Sequence, residues 1–413
     1  MSNDALDEIS SDTTTERSFG SSRRQRGMRI ESVDTVVVNA QLRNWVFVKV
    51  TATDGTVGWG EATLEWQARA VAGAVADLSP ILVGQDPRRI EHLWQAMYRD
   101  HFFKGGVVTM SAISGIDQAL WDLKARHLGV PAYELLGGAV RDSLRMYDHL
   151  GGGDSTAVYG NASIEGFGAA ARRAVEDGFS ALKILAVPSG GGLPSSADVA
   201  GAAELMRTVR EAVGNDVDVM VDLHGRTTAA GALAYGRALA EFDPWFFEEP
   251  CAPGNPREMA EVARALPFPV ATGERLIALG EFREHLALGA CAILQPDICH
   301  VGGPTGLKKI AAFAESHEIP LAPHNPLGPI ATAVNQHVAF ATPGVIIQEV
   351  MRSDVPWRND VVTGTFPIVG GRIGLPDGPG WGIEVDEEAA ALHPYKPESQ
   401  ITTRNNDGSV ADW

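Results

Sequence analysis

The sequence predicts an α/β protein: a modified (β/α)8 barrel of the TIM type, preceded by an α+β capping domain. Three observations carry this. From about residue 144, short apolar runs alternate with amphipathic helical patterns, which implies a parallel sheet. Eight such runs follow at intervals of roughly 25 to 40 residues, as a closed barrel requires. Ahead of them, "MRIESVDTVVV" and "WVFVKVTATDG" alternate apolar with polar residues, and Asp54-Gly55 marks a hairpin turn. A doubly wound open sheet is the competing fold. No glycine-rich phosphate loop follows a first strand, which weighs against it.

Each element follows in chain order. Residues 1–27 are rich in Ser, Thr, Asp, Glu and Arg, and read as a disordered tail. The capping domain spans 28–140. It opens with the hairpin strands and continues in helical patterns such as "SAISGIDQALWDLKARHLG" (111–129). There Ile113, Ile116, Ala119, Leu120 and Leu123 recur at helical spacing, and the domain closes near "LLGG". The barrel spans 141–362, with strand candidates "LRMYDHLG", "ALKILAV", "DVMVDLHG", "WFFEEP", "FPVATGE", "CAILQPD", "IPLAPHN" and "VIIQEV". The segment 363–413 runs through glycine-rich turns and is expected to pack back on the capping domain.

Composition narrows the partners. The 413-residue chain carries a net charge of −18, so nucleic acid and anionic membranes are excluded as partners. Its three cysteines, Cys251, Cys291 and Cys299, are odd in number and form no CxxC pair, which suggests a reducing, cytoplasmic setting. No apolar run reaches membrane-spanning length. Arg23-Arg24 lacks a following apolar region, so no export signal is read there.

The chemistry gathers at the strand ends. Asp222 and His224 end the third barrel strand, Glu248 and Glu249 the fourth, Glu274 the fifth, Asp297 the sixth, His324 the seventh and Glu349 the eighth. All C-terminal ends of a barrel meet at one face, where such enzymes place their chemistry. A single acidic residue after a strand serves equally well as a helix N-cap, but six consecutive strands ending this way do not read as capping. Asp222, Glu248 and Glu274 are 26 residues apart each, one βα unit. Three converging carboxylates repel one another unless a cation neutralises them, and hard oxygen ligands suit Mg²⁺. Of the adjacent glutamates, alternation favours Glu248, because Phe246 then shares its inward face. Alternation also predicts that Asp222 and His224 point the same way. His224 and His324 beside a metal suggest acid–base work, with Asp297 orienting His324.

The constellation resembles the enolase superfamily, and within it the mandelate-racemase subgroup, over nearly all of residues 28–413. The matching strings are "VGWGE" (57–61), "MSAISGIDQALWDLK" (110–124), "DLHGR" (222–226), "EEP" (248–250), "GER" (273–275), "ILQPD" (293–297), "HVGG" (300–303), "LAPHNPLGPIA" (321–331), "QE" (348–349) and the terminal "DGSVADW". The resemblance implies one Mg²⁺ per subunit on Asp222, Glu248 and Glu274. It implies His324 as base, Asp297 as its partner, His224 as proton donor and Glu349 as stabiliser of an enediolate. Two departures stand out. Much of the subgroup carries Lys-x-Lys on the second strand, with the second lysine a base; here Lys183 is followed by Leu185 at that position. The first strand ends with Asp148 and His149, where uncharged residues are expected.

The resemblance therefore implies dehydration of a sugar acid to a 2-keto-3-deoxy acid, by a homo-oligomer (dimer or octamer). A racemase or epimerase, which needs a base on each face of C2, is the alternative on the same scaffold. A non-catalytic sugar-acid-binding regulator is a further alternative. Lys183 reads equally as a strand-end ion pair or a site residue. Arg43, His101 and Lys104 are candidate substrate contacts on capping-domain loops, with Lys183 as the fourth. His300 reads as a helix-start residue. Trp59, Trp121, Trp245 and Cys299 read as core.

Overall fold

The computed structural model describes residues 27–150, 163–187, 192–351, 354–398, 404 and 407–411. All but Gly27 of the polar N-terminal segment lies outside the described residues, as do Gly151 to Gly153 after the first barrel strand. Three antiparallel strands open the described chain: β1 (Ile30–Ala40), β2 (Arg43–Ala52) and β3 (Val57–Glu61). The β2–β3 turn passes through Gly55 at φ 85°, the left-handed conformation that glycine accepts freely. Helices α1 (Ala68–Leu82), α2 (Ile90–Arg99) and α3 (Val107–Leu128) pack on this sheet, and a short α4 (Ala132–Leu135) follows.

The helix α3 is buried on almost every face from Met110 to Ala125, not along one stripe as its apolar spacing predicts. It lies between the antiparallel sheet and the barrel. Gly58 and Gly60 let β3 rest directly on it: a Cβ on Gly60 would sit 2.0 Å from the Gly115 carbonyl oxygen. Its polar residues Ser111, Ser114 and Gln118 bond to barrel loops, and Asp117 accepts from Thr305 N–H in a barrel helix.

The barrel follows as β4 (Ser143–His149), α5 (Ile164–Glu176), β5 (Ala181–Leu185), α6 (Ser196–Val213), β6 (Asp218–Asp222), α7 (Ala229–Leu239), β7 (Phe247–Glu248), α8 (Pro256–Ala265), β8 (Val270–Thr272), α9 (Leu279–Leu288), β9 (Ile293–Leu294), α10 (Gly303–Ser316), α11 (Pro329–Phe340) and β10 (Gln348–Val350). The parallel order is β10-β4-β5-β6-β7-β8-β9. The expected seventh strand, "IPLAPHN", is reduced to a single residue: Leu321 bridges Leu294 on one side and Val345 on the other. Pro320 and Pro323 flank the run and lack the N–H groups a ladder needs. Inside the barrel, Tyr147, Ala181, Met220, Phe246, Ala271, Ile293, Ala322 and Ile347 form one buried cluster, one residue from each strand position. Two residues further along most strands, the same inward face turns polar.

The chain ends with β11 (Val362–Thr363), β12 (Arg372–Gly374), β13 (Glu384–Val385) and α12 (Glu387–Ala391). This segment touches both parts. β12 pairs antiparallel with β4, while Asn39 N–H donates to His393 O at 2.8 Å and Trp381 N–H donates to Asp122 Oδ1 at 2.8 Å. No helix among the described residues is long and apolar enough to cross a membrane.

Candidate active site

Asp222 is the last residue of β6, and its register partner across the sheet is Glu248 of β7. Glu274 follows β8 by two residues, past Gly273 at φ 146°. A side chain at Gly273 would be strained by that φ and would sit 2.8 Å from the Gln295 backbone nitrogen. Asp222, Glu248 and Glu274 each offer an oxygen, and these atoms lie within 4.8 Å of one another. Glu249 does not join them. Its backbone turns at φ 44°, and its carboxylate accepts from Arg275 Nε at 2.9 Å, Arg275 Nη2 at 2.6 Å and the Thr272 hydroxyl.

The electrostatics of the triad are those of crowded anions. Burial and the Asp222 charge push the Glu248 carboxyl well above its ordinary value, and burial with Asp222 and Glu249 raises Glu274 likewise. Burial opposes ionisation of Asp222 too, but His224 and Lys183 outweigh it and hold that carboxyl well below the usual range. Asp222 Oδ2 and Glu274 Oε2 are buried without an aligned hydrogen-bond donor. Three clustered hard oxygen donors, two of them with an unpartnered oxygen, fit a divalent cation such as Mg²⁺.

Lys183, on β5, stands at the centre of the acidic ring. Its Nζ is 2.8 Å from Glu248 Oε1, 2.9 Å from Glu349 Oε1 and 3.4 Å from Asp222 Oδ2. It forms a buried strand-end ion pair within the acidic ring. Gln295 donates from Nε2 to Glu248 Oε2 at 2.8 Å. Sequence reasoning passed over Gln295, although alternation from the inward Ile293 points it into the barrel. Leu185, two residues past Lys183 and opposite Asp222 in register, is buried at the mouth.

The two histidines approach the triad from different sides. His324 Nδ1 is 2.7 Å from Asp297 Oδ2, and its Nε2 is 3.4 Å from Glu274 Oε2. Burial lowers the affinity of His324 for a proton, but the Asp297 hydrogen bond and the Glu349 charge outweigh it and raise its pKa above the ordinary imidazole value. His224 Nε2 is 3.2 Å from Asp222 Oδ2. The pair meets for a different reason from the one alternation predicts. The strand stops at Asp222, Leu223 is buried, and His224 turns back at φ 50° with its N–H donating to Asp222 Oδ1 at 2.9 Å.

Glu349 closes the ring from β10. Its Oε2 accepts from Asn325 N–H at 2.7 Å, and its Oε1 lies 3.2 Å from His149 Nδ1. Burial opposes ionisation, but Lys183 and His149 hold Glu349 well below the usual carboxylate range. Burial holds His149 below its ordinary value as well, against the pull of Glu349.

His300 precedes α10 by three residues but does not cap it: Gly302 is the cap residue, and the His300 ring bonds Ser111 of α3 through Nδ1 at 2.8 Å. Arg43 is buried and reaches a loop backbone, donating from Nη1 to Pro326 O at 2.8 Å and pairing with Glu65. Lys104 is exposed and His101 half-buried, with Phe102 and Phe103 between them 91% and 88% exposed. Trp59 and Cys299 are core; Trp121 and Trp245 are only partly buried.

This arrangement has known counterparts. Residues 166–389 match the family described as enolase C-terminal domain-like, and residues 22–137 match the mandelate racemase / muconate lactonizing enzyme N-terminal domain. The D-galactonate dehydratase of Ralstonia nicotianae is 41% identical over 382 residues, covering 89% of this chain and 96% of its own. That of Ralstonia pickettii is 40% identical over 380 residues, with the same coverage. A crystal structure of a member of the enolase superfamily from Salmonella Typhimurium superposes with a TM-score of 0.84 at 33% identity, over 89% of this chain and 98% of that one. Matched in both its N-terminal and C-terminal parts, with carboxylates at three successive strand ends, the chain belongs to the mandelate racemase / muconate lactonizing enzyme family of the enolase superfamily.

Proposed function

We propose that the protein is a Mg²⁺-dependent sugar-acid dehydratase, a hydro-lyase that converts an aldonic acid such as galactonate to its 2-keto-3-deoxy acid. The observation that carries this reading is the His324–Asp297 pair beside the carboxylate triad, on a chain about 40% identical to D-galactonate dehydratases. We assign Asp222, Glu248 and Glu274 as the ligands of one Mg²⁺ per subunit. When bound, the ion neutralises the negative charge that the substrate carboxylate gains as its α-proton leaves.

His324 uses its Nδ1–H to donate to Asp297, which leaves the Nε2 lone pair to take the C2 proton. The buried Asp297 carboxylate stabilises the imidazolium so formed. Lys183, 2.9 Å from Glu349, supplies positive charge on the side where the enediolate develops, and Glu349 stabilises that anion only as the protonated acid, donating its O–H. His224, across the triad, protonates the departing C3 hydroxyl, and the enol tautomerises to the ketone. Leu185 stands where a racemase of this family would carry a second lysine, which favours dehydration over racemisation. We read residues 28–140 as the cap, 141–362 as the barrel and 363–413 as a return segment. We also infer a cytoplasmic homo-oligomer, supported by three buried free thiols and by family membership.

The test is a screen of aldonic and aldaric acids, galactonate among them, for 2-keto-3-deoxy product. With the substrate in hand, His324→Asn is expected to abolish both dehydration and exchange of the C2 proton in D₂O. His224→Asn is expected to block dehydration and to permit exchange. Brisk exchange in His324→Asn would assign the base elsewhere, and undiminished turnover after exhaustive chelation would overturn the metal requirement.

A further inference from the structure

We propose that Glu61, in the cap, is a positioning residue for His324: it latches the segment that carries the base and so sets the His324–Asp297 geometry. The proposal rests on the dehydratase reading for its kinetic consequence only. Glu61 ends β3 and is fully buried, far from the triad in sequence and in role. Its Oε1 accepts from Gly328 N–H at 2.8 Å and from the Thr63 hydroxyl at 2.6 Å; its Oε2 accepts from Ala331 N–H at 2.8 Å. Gly328 and Ala331 form the first turn of α11. That turn has no side-chain cap of its own, so its orphaned N–H groups are satisfied by a carboxylate from the other part of the molecule.

The rest of the segment 324–328 is tied in the same way. Pro326 O accepts from Arg43 Nη1 at 2.8 Å, and Leu327 O accepts from Arg358 Nη2 at 2.9 Å. Asp297, the other half of the pair, sits on a loop held by α3. Gln118 Nε2 donates to Ile298 O at 3.2 Å, and Gly302 N–H donates to Ser114 Oγ at 2.8 Å. Gln118 also links the two anchors, because its Oε1 accepts from Glu61 N–H at 2.9 Å and its Nε2 donates to Glu61 O at 2.9 Å. Both loops of the 2.7 Å His324–Asp297 contact are thus referenced to one rigid unit, β3 lying on α3.

A buried carboxylate is costly unless its lone pairs are filled. Here three donors fill them, and glutamine cannot do the same: its amide NH₂ would face one of the two backbone N–H groups. Glu61→Gln is therefore expected to shift the segment by a few tenths of an ångström or more. A misplacement of about 1 Å at a reacting group costs about 100-fold in rate. Glu61→Gln should lower kcat by roughly 10- to 100-fold with KM changed less than about 3-fold, and leave Mg²⁺ affinity by calorimetry within about 3-fold.

The second readout needs no turnover. The His324 Nδ1–H, hydrogen-bonded to Asp297, should give a downfield proton NMR resonance, identified by its disappearance in His324→Asn. That resonance is expected to move or broaden in Glu61→Gln. Gly328→Ala repeats the test with the charge intact, since its Cβ would stand 2.5 Å from Glu61 Oε1 and push the carboxylate aside. If the folded variants keep full kcat and an unmoved resonance, Glu61 is a buried structural group and the proposal fails, whatever happens to Tm. If the resonance moves but the wild-type protein dehydrates no sugar acid, the latch stands and the dehydratase reading falls.

Discussion

Glu248 and Glu249 are neighbours in sequence with opposite fates, and the difference is testable. Glu248 belongs to the triad and pairs with Lys183, whereas Glu249 is buried against Arg275 and Thr272. Glu248→Gln is expected to reduce activity by at least about 1,000-fold and to abolish Mg²⁺ binding, with little effect on metal-free stability. Glu249→Gln is expected to cost about 2 kcal/mol in metal-free denaturant unfolding, by leaving Arg275 without its buried partner, and to retain Mg²⁺ binding. The reverse pattern would exchange the two assignments. Leu185 is the other informative residue. It puts an apolar side chain beside Asp222 at the end of β5. Leu185→Asn is expected to shift the ratio of kcat/KM values among epimeric sugar acids by 10-fold or more. An unchanged substrate profile would show that Leu185 does not touch the substrate.

At the scale of elements, α11 joins the barrel to the cap and to the chain end through one histidine. His337 Nδ1 accepts from Tyr133 N–H at 3.2 Å, and its Nε2 faces Trp381 O at 3.2 Å, which suits the neutral ring with its proton on Nε2. Burial lowers its pKa to about 3, against the partial compensation of the Trp381 carbonyl. The unfolded chain, with an ordinary histidine near 6.5, therefore binds more protons than the folded one between those values. Stability from this group is complete above about pH 6.5 and is lost as pH falls toward 3. Between pH 6.5 and 4 the loss should reach about 3 kcal/mol. His337→Gln keeps an acceptor and a donor without a titration, so its stability should fall less steeply over that window in urea unfolding. Parallel curves for the two proteins would remove His337 from the acid response.

At the scale of the whole molecule, the proposed metal site would couple ion binding to folding. The triad is contributed by three strands that only the folded barrel brings together, so ligand binding is linked to folding. Mg²⁺ at about 100 times its Kd should add about 2.7 kcal/mol to stability and raise Tm. Glu248→Gln should show no such rise. A Tm insensitive to Mg²⁺ in the wild-type protein would place the ion elsewhere.

Much of this was legible in the chain. The β/α rhythm, the 26-residue spacing of Asp222, Glu248 and Glu274, and the choice of Glu248 through its inward partner Phe246 all follow from local periodicity. A period-2 strand carries that information within a few residues. Other features were decided by contacts distant in sequence. The seventh strand shrinks to Leu321 because two prolines remove its donors. His224 meets Asp222 through a left-handed turn, not through strand alternation. Arg43 finds its partner in the Pro326 carbonyl, and His300 goes to Ser111 instead of a helix cap. Glu61 and Gln118 could not be placed at all from the sequence. What gives them meaning is the N–H and C=O groups they meet on loops about 180 to 270 residues away, and unpaired backbone groups find their partners only when the two parts of the chain are packed together.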